Sequence, residues 1–169
     1  TPCFSIEGDD AVVGFVSRFT KAGGKLFYCV DEQSVSNALW DIQKSAGSKT
    51  LGCCNDNMVS FVSNLGIQGA QKATPDADYH VGLLLSEGLI AWNASVVLSD
   101  ALGFGSQFLT FPLVTVVVAF TSQVVNDWES LYMKLAANKK MPATTIVSPA
   151  TNCFATGANK LYLILLEDL

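Results

Sequence analysis

The run Leu113 to Phe120, LVTVVVAF, constrains this chain more than any other stretch, because it is apolar on both of the faces that a strand presents. A strand with one wet face alternates polar and apolar residues, and this one does not. It belongs inside a sheet covered on both sides, which points to a parallel or mostly parallel sheet flanked by helices.

The segments around it keep the rhythm such a sheet needs. Asp9-Asp10 precedes Ala11, Val12, Phe15, Val16 and Phe19 at helical spacing, and Gly23-Gly24 stands where that helix stops. Lys25 to Val30 reads as a strand, and Asp31 to Ser45 as a helix with Val35, Ala38, Leu39 and Ile42 on one face. Thr50 to Cys54 is a second short strand, and Asn55 caps a helix through Met58, Val59, Phe61, Val62 and Leu65. Gln71 to Asp78 reads as a polar linker.

Beyond it the pattern changes. His80 to Ser86, Leu89 to Trp92 and Ser95 to Leu98 are closely spaced strands parted by Gly88 and Asn93-Ala94, which predicts antiparallel pairing. Asp100 to Gln107 reads as a loop, Asn126-Asp127 caps a helix ending near Asn138, and Thr144 to Val147 and Leu161 to Leu166 are the last strands. The expected fold class is α/β, with a mostly parallel sheet, flanking helices and a short antiparallel segment, in one domain over residues 1–169.

Composition removes several classes of function. Half the residues are hydrophobic and 15% are charged, which suits a compact globule. The apolar stretch Val81 to Leu98 is broken by Ser86, Glu87, Trp92, Asn93 and Ser95, so no transmembrane span is expected. The opening Thr1-Pro2-Cys3-Phe4 lacks the basic and apolar regions of a signal peptide, while the missing Met points to residues trimmed upstream. With a net charge of −5 and scattered lysines and arginines, nucleic acid is not an expected partner. Five cysteines without a C-x-x-C favour thiols in a reducing compartment, hence a cytoplasmic protein. His80 is the only histidine, so neither a zinc nor an iron–sulfur site is expected, and no cofactor is assigned.

The quoted segments together resemble the LUD domain family, named for lactate-utilisation protein C. Val81-Gly82-Leu83-Leu84, then Glu87, then Ile90-Ala91-Trp92-Asn93-Ala94-Ser95 is similar to a Val-Gly-Ile-Thr opening, an acidic residue and Ile-Ala-Glu-Thr-Gly-Ser. Phe111 to Val117 resembles the family's Pro-containing entry into a central strand, Gln123 to Asp127 its Ile-Val-x-Asp helix start, and Gly157 to Leu166 its terminus. Two loops depart from the pattern. The Glu-Thr-Gly centre has become Trp92-Asn93-Ala94, and Gly-Pro-Ser-x-Thr-Ala-Asp has become Ser148-Pro149-Ala150-Thr151-Asn152-Cys153 followed by a shortening.

The resemblance implies a three-layer fold of the type shared by ribose-5-phosphate isomerase and CoA transferases. It also implies a place in L-lactate oxidation to pyruvate, beside iron–sulfur oxidoreductase subunits that hold the clusters. Glu87 matches the family's acidic position and follows a strand, where ligands gather in open α/β sheets. It is the candidate catalytic residue; the other reading is a turn carboxylate facing water. Asn93, Ser95, Ser148, Thr151 and Asn152 are candidate ligand-binding groups for a small anionic metabolite, or ordinary turn and loop residues. His80 beside Asp76 and Asp78, Cys153 near Lys160, and Gly103-Phe104-Gly105 read more simply as a linker histidine, an inert thiol and a loop.

Three functions stay open on these residues. One is a non-redox component of lactate utilisation that binds a metabolite or an oxidoreductase partner. Another is an isomerase- or transferase-type enzyme with Glu87 as base or nucleophile. The third is a divergent structural subunit without a ligand. The oligomeric state stays open too, a homo-oligomer included.

Overall fold

The computed structural model describes residues 9–47, 50–53, 56–72, 81–99, 114–137, 144–147 and 160–168. In chain order the elements are α1 (Asp9–Lys21), β1 (Lys25–Cys29), α2 (Glu32–Ala46), β2 (Leu51–Cys53), α3 (Asp56–Asn64), β3 (Ala70–Lys72), β4 (Val81–Leu85), β5 (Gly88–Ile90), β6 (Ser95–Ser99), β7 (Val114–Phe120), β8 (Val124–Val125), α4 (Trp128–Ala137), β9 (Thr144–Val147) and β10 (Lys160–Leu166).

A six-stranded sheet with the order β1-β10-β7-β4-β2-β3 forms the centre, and every neighbouring pair in it is parallel. The α/β class expected from the apolar runs is the one observed. Consecutive buried residues in β4, β7 and β10 show the reason: side chains on both faces of each strand are out of water. Three of the largest fully buried side chains, Leu163, Ile164 and Leu165, come from β10 alone.

A second sheet, of order β8-β5-β6-β9, takes in the segment expected to pair antiparallel. β6 is antiparallel to both β5 and β9, whereas β8 joins β5 in parallel. α1 packs against both β1 and β8, and α4 packs on β5 and β8. The Arg18 guanidinium of α1 donates to the Ala91 carbonyl at 2.9 Å and ties the helix to the second sheet.

Local signals fix the helix ends. Asp31 caps α2 by accepting a hydrogen bond from the Ser34 amide at 2.8 Å, and Gly47 ends it at φ 64°, donating its amide to the carbonyls of Gln43 and Lys44. One element corrects the sequence reading: Ala70–Lys72, at the start of the expected polar linker, is the edge strand β3. Its residues are mostly exposed, so it shows no apolar pattern.

The direction of travel across the sheet locates the crevices. β1 to β2 and β2 to β3 run one way, while β3 to β4, β4 to β7 and β7 to β10 run back. Right-handed crossovers then send the connections after β1 and β2 to one face and those after β4 and β7 to the other. Connections therefore diverge at the carboxyl ends between β2 and β4, and between β1 and β7 on either side of β10. Open sheets bind ligands at such points.

Candidate functional site at the carboxyl edge

Glu87 stands beside the first of these crevices. β4 pairs with β2 on one side and β7 on the other, and the Ser86 amide extends that pairing by donating to the Val118 carbonyl at 3.2 Å. At the next residue the chain changes sheets: the Glu87 amide donates to the Val97 carbonyl of β6 at 2.7 Å. The half-buried Glu87 thus sits at the joint between the two sheets, with its backbone fixed on both sides.

The β5–β6 hairpin carries the other candidates away from that joint. Gly88 pairs with Val97 and Ile90 with Ser95, so Glu87 lies at one end of β5 and the Ala91–Ala94 turn at the other. Ile90 is three residue steps along the strand from Glu87, a rise of roughly 10 Å. Ser95 is buried in the strand, and Asn93 is exposed in the turn. The turn's unusual backbone angle belongs to Ala94, at φ 56°, and not to Asn93. Trp92, beside it, is 74% exposed. Ser148, Thr151 and Asn152 lie outside the described residues, as do His80, Cys153 and Gly103 to Gly105.

The second crevice holds a cleft of about 600 Å³. Val12, Val13 and Val16 of α1 form one wall, and Tyr28, Thr121 and Glu167 face them from the ends of β1, β7 and β10. The Tyr28 hydroxyl donates to Glu167 Oε2 at 3.2 Å, and the Glu167 amide donates to the Cys29 carbonyl at 2.8 Å. Next to them Asp168 accepts from Thr121 Oγ1 and from the Ser122 amide, both at 2.9 Å, and from Ser122 Oγ. Burial pushes the Asp168 carboxyl up, but these donors together outweigh it and hold the group below its ordinary value.

Two more groups at this edge are perturbed. The Ser34 hydroxyl and amide hold Asp31 below the ordinary carboxylate range. Burial, with the charge of Asp31 behind it, pushes the Cys29 thiol up and keeps it protonated, which makes it a poor nucleophile.

Asp31, Glu87, Glu167 and Asp168 thus make the described carboxyl edge acidic; Lys134, whose ammonium donates to the Ser122 carbonyl at 3.2 Å, and Lys72, 4.0 Å from Asp56 at the end of β3, are cations held against it. Among the described residues no three of His, Cys, Asp and Glu converge as metal ligands, and no helix is long and apolar enough to cross a membrane. Sequence reasoning passed over Tyr28, Thr121, Glu167 and Asp168. Their signal was position, since Thr121 and Glu167-Asp168 directly follow the buried runs LVTVVVAF and LYLILL, and Tyr28 stands near the end of the strand KLFYCV.

Neither a family model nor a curated protein matches the chain. Among solved structures it is similar to a DUF162 family protein from Deinococcus radiodurans, with a TM-score of 0.74 and 12% identity over 96% of this chain and 99% of that one. DUF162 is the LUD domain family, and the shared architecture extends over almost the full length of both chains. The chain therefore has the fold of a DUF162, or LUD domain, protein.

Proposed function

We propose that this chain is a LUD-type, non-redox component of L-lactate utilisation, acting where lactate is oxidised to pyruvate beside an iron–sulfur oxidoreductase. The observation that carries this reading is the end-to-end likeness of fold to a DUF162 family protein, joined to the motif resemblance in the sequence. Of the two occupants to weigh, a small anionic metabolite or a protein partner, the acidic carboxyl edge favours the partner. An anion there would face the carboxylates of Glu87, Glu167 and Asp168 in turn.

The test is lactate-dependent dye reduction by purified iron–sulfur subunits, with and without this chain, alongside thermal unfolding of the chain with L-lactate or pyruvate. A partner role requires that the chain raise turnover by the subunits. Ligand at one hundred times its dissociation constant stabilises a protein by about 2.7 kcal/mol, so a metabolite site would register clearly. The absence of both a gain in turnover and stabilisation would remove the reading.

The half-buried position of Glu87 beside a divergent crevice supports a second reading, an enzyme with Glu87 as base or nucleophile. It requires turnover by the chain alone that Glu87→Gln abolishes while the fold is retained.

A further inference from the structure

A second cleft, of about 800 Å³, lies between α2 and the turn that follows α3, away from the acidic edge. Its wall on α2 is a stripe at helical spacing, Asn37, Trp40, Gln43 and Lys44, and Gln68 closes the opposite side. α2 buries Val35, Ala38, Leu39 and Ile42 in the core, which leaves Trp40 with no packing task there. Its indole is 62% exposed, and such an aromatic face in a cleft is a stacking platform.

The polar groups around the indole are complementary in kind. Gln43 is only 8% exposed, and its amide nitrogen donates to the Gln68 carbonyl at 3.5 Å, so its carbonyl oxygen is the part left to accept from an occupant. The Asn37 oxygen accepts from the Gln33 amide at 3.2 Å, so its NH2 is the part left to donate. One acceptor and one donor beside an aromatic platform match the edge of a nitrogen heterocycle.

Charge narrows the class. Among the described residues Lys44 is the only charged side chain lining the cleft, and no carboxylate lines it, in a protein of net charge −5. Gly47 and Gly66 border it with φ of 64° and 82°, and no heavy atom lies within 4 Å of where either would carry a Cβ. The rim is therefore open backbone, and the volume falls in the range of roughly 300–1,000 Å³ common to small-molecule sites.

We propose that this cleft binds a nucleoside monophosphate, with the base stacked on Trp40, its edge read by Asn37 and Gln43, and its phosphate held by Lys44. This reading is independent of the lactate reading and uses none of the carboxyl-edge residues.

Isothermal titration of the full chain with AMP, GMP, adenosine and ribose 5-phosphate tests it. AMP or GMP should bind, adenosine more weakly, and ribose 5-phosphate hardly at all. Trp40→Ala should weaken the nucleotide by about tenfold or more, the usual loss when a stacking partner is removed. Lys44→Gln should bring AMP down to the affinity of adenosine and leave adenosine unchanged. Trp92→Ala, which removes another exposed indole, serves as the control and should change nothing. All three side chains are exposed, so the variants should fold. The proposal is overturned by absence of binding at millimolar nucleotide, by binding indifferent to Trp40→Ala, or by ribose 5-phosphate binding as well as AMP. A dimer that Trp40→Ala dissociates would also overturn it, by showing a second copy in the cleft.

Discussion

Ser86 and Gln123 hold each other twice: the Ser86 hydroxyl donates to Gln123 Oε1 at 2.7 Å, and Gln123 Nε2 donates back to the Ser86 carbonyl at 3.0 Å. The pair joins the carboxyl ends of the neighbouring strands β4 and β7, where the chain leaves for the second sheet. Gln123 Oε1 also accepts the Phe120 amide at 3.0 Å, and Ser86 is 4% exposed, so water is a poor substitute for either partner. Gln123→Ala, which leaves several buried groups without partners, should cost about 2 kcal/mol, and Ser86→Ala about 1 kcal/mol. Urea unfolding of the two variants checks the order; equal losses would mean that solvent reaches this joint.

Gly88 is required by what lies above it. A Cβ at this position would stand 2.5 Å from Leu131 Cδ1 and 3.2 Å from Cδ2, and Leu131 is itself 1% exposed. Gly88→Ala should therefore destabilise by about 1–3 kcal/mol through overpacking between β5 and α4. In a Leu131→Ala background the same change should cost much less, because the added methyl then enters the space vacated by Leu131. A double-mutant cycle in denaturant with no coupling would show that the helix simply shifts.

Ala94 carries backbone strain that a glycine would relieve. It is the one non-glycine residue with positive φ among the described residues, and it occupies the place where the LUD pattern has Gly. A left-handed conformation costs an L-residue about 1 kcal/mol, offset in part by the greater chain entropy of unfolded glycine. Ala94 is also 1% exposed, so the lost methyl subtracts from the gain. Ala94→Gly should raise stability by a few tenths of a kcal/mol, up to about 0.5. A loss of more than about 1 kcal/mol would show that methyl packing outweighs backbone strain.

These positions show what the sequence could and could not convey. Apolar runs such as LVTVVVAF announce their own burial, so β4, β7 and β10, as well as the helices between strands, were legible from side-chain type alone. β3 and β8 were not, since three and two residues are too few for a period, and their pairing is set by neighbours distant in sequence. The site was less legible still. Glu87 signalled itself by being charged amid apolar residues, but its separation from Asn93 depends on hairpin register. The Tyr28 and Glu167 contact spans 139 residues and has no local signature, and the Trp40 cleft needs the turn at Gly66 to Gln68, distant in sequence, to close it.

Asp168 should make part of the stability depend on acid. Burial raises its carboxyl, but the hydroxyl and amide of Ser122 and the hydroxyl of Thr121 prevail, so the folded protein holds it below the ordinary value of 3.8. A group lowered on folding binds fewer protons in the folded than in the unfolded state, so its contribution is present above the ordinary value and fades as pH falls through the lowered one. The carboxylate is exposed, so solvent screens it and the effect is modest. The stability difference between the native chain and Asp168→Asn should be constant from neutral pH to about 5 and should shrink as pH falls below about 4. Asp31 and Asp127, lowered by Ser34 and Ser130, leave the variant an acid limb of its own, so the difference between the two proteins, and not either curve, is the quantity to follow. A difference that stayed constant to the lowest pH at which both chains remain folded would show that Ser122 and Thr121 hold the neutral carboxyl as well as the charged one.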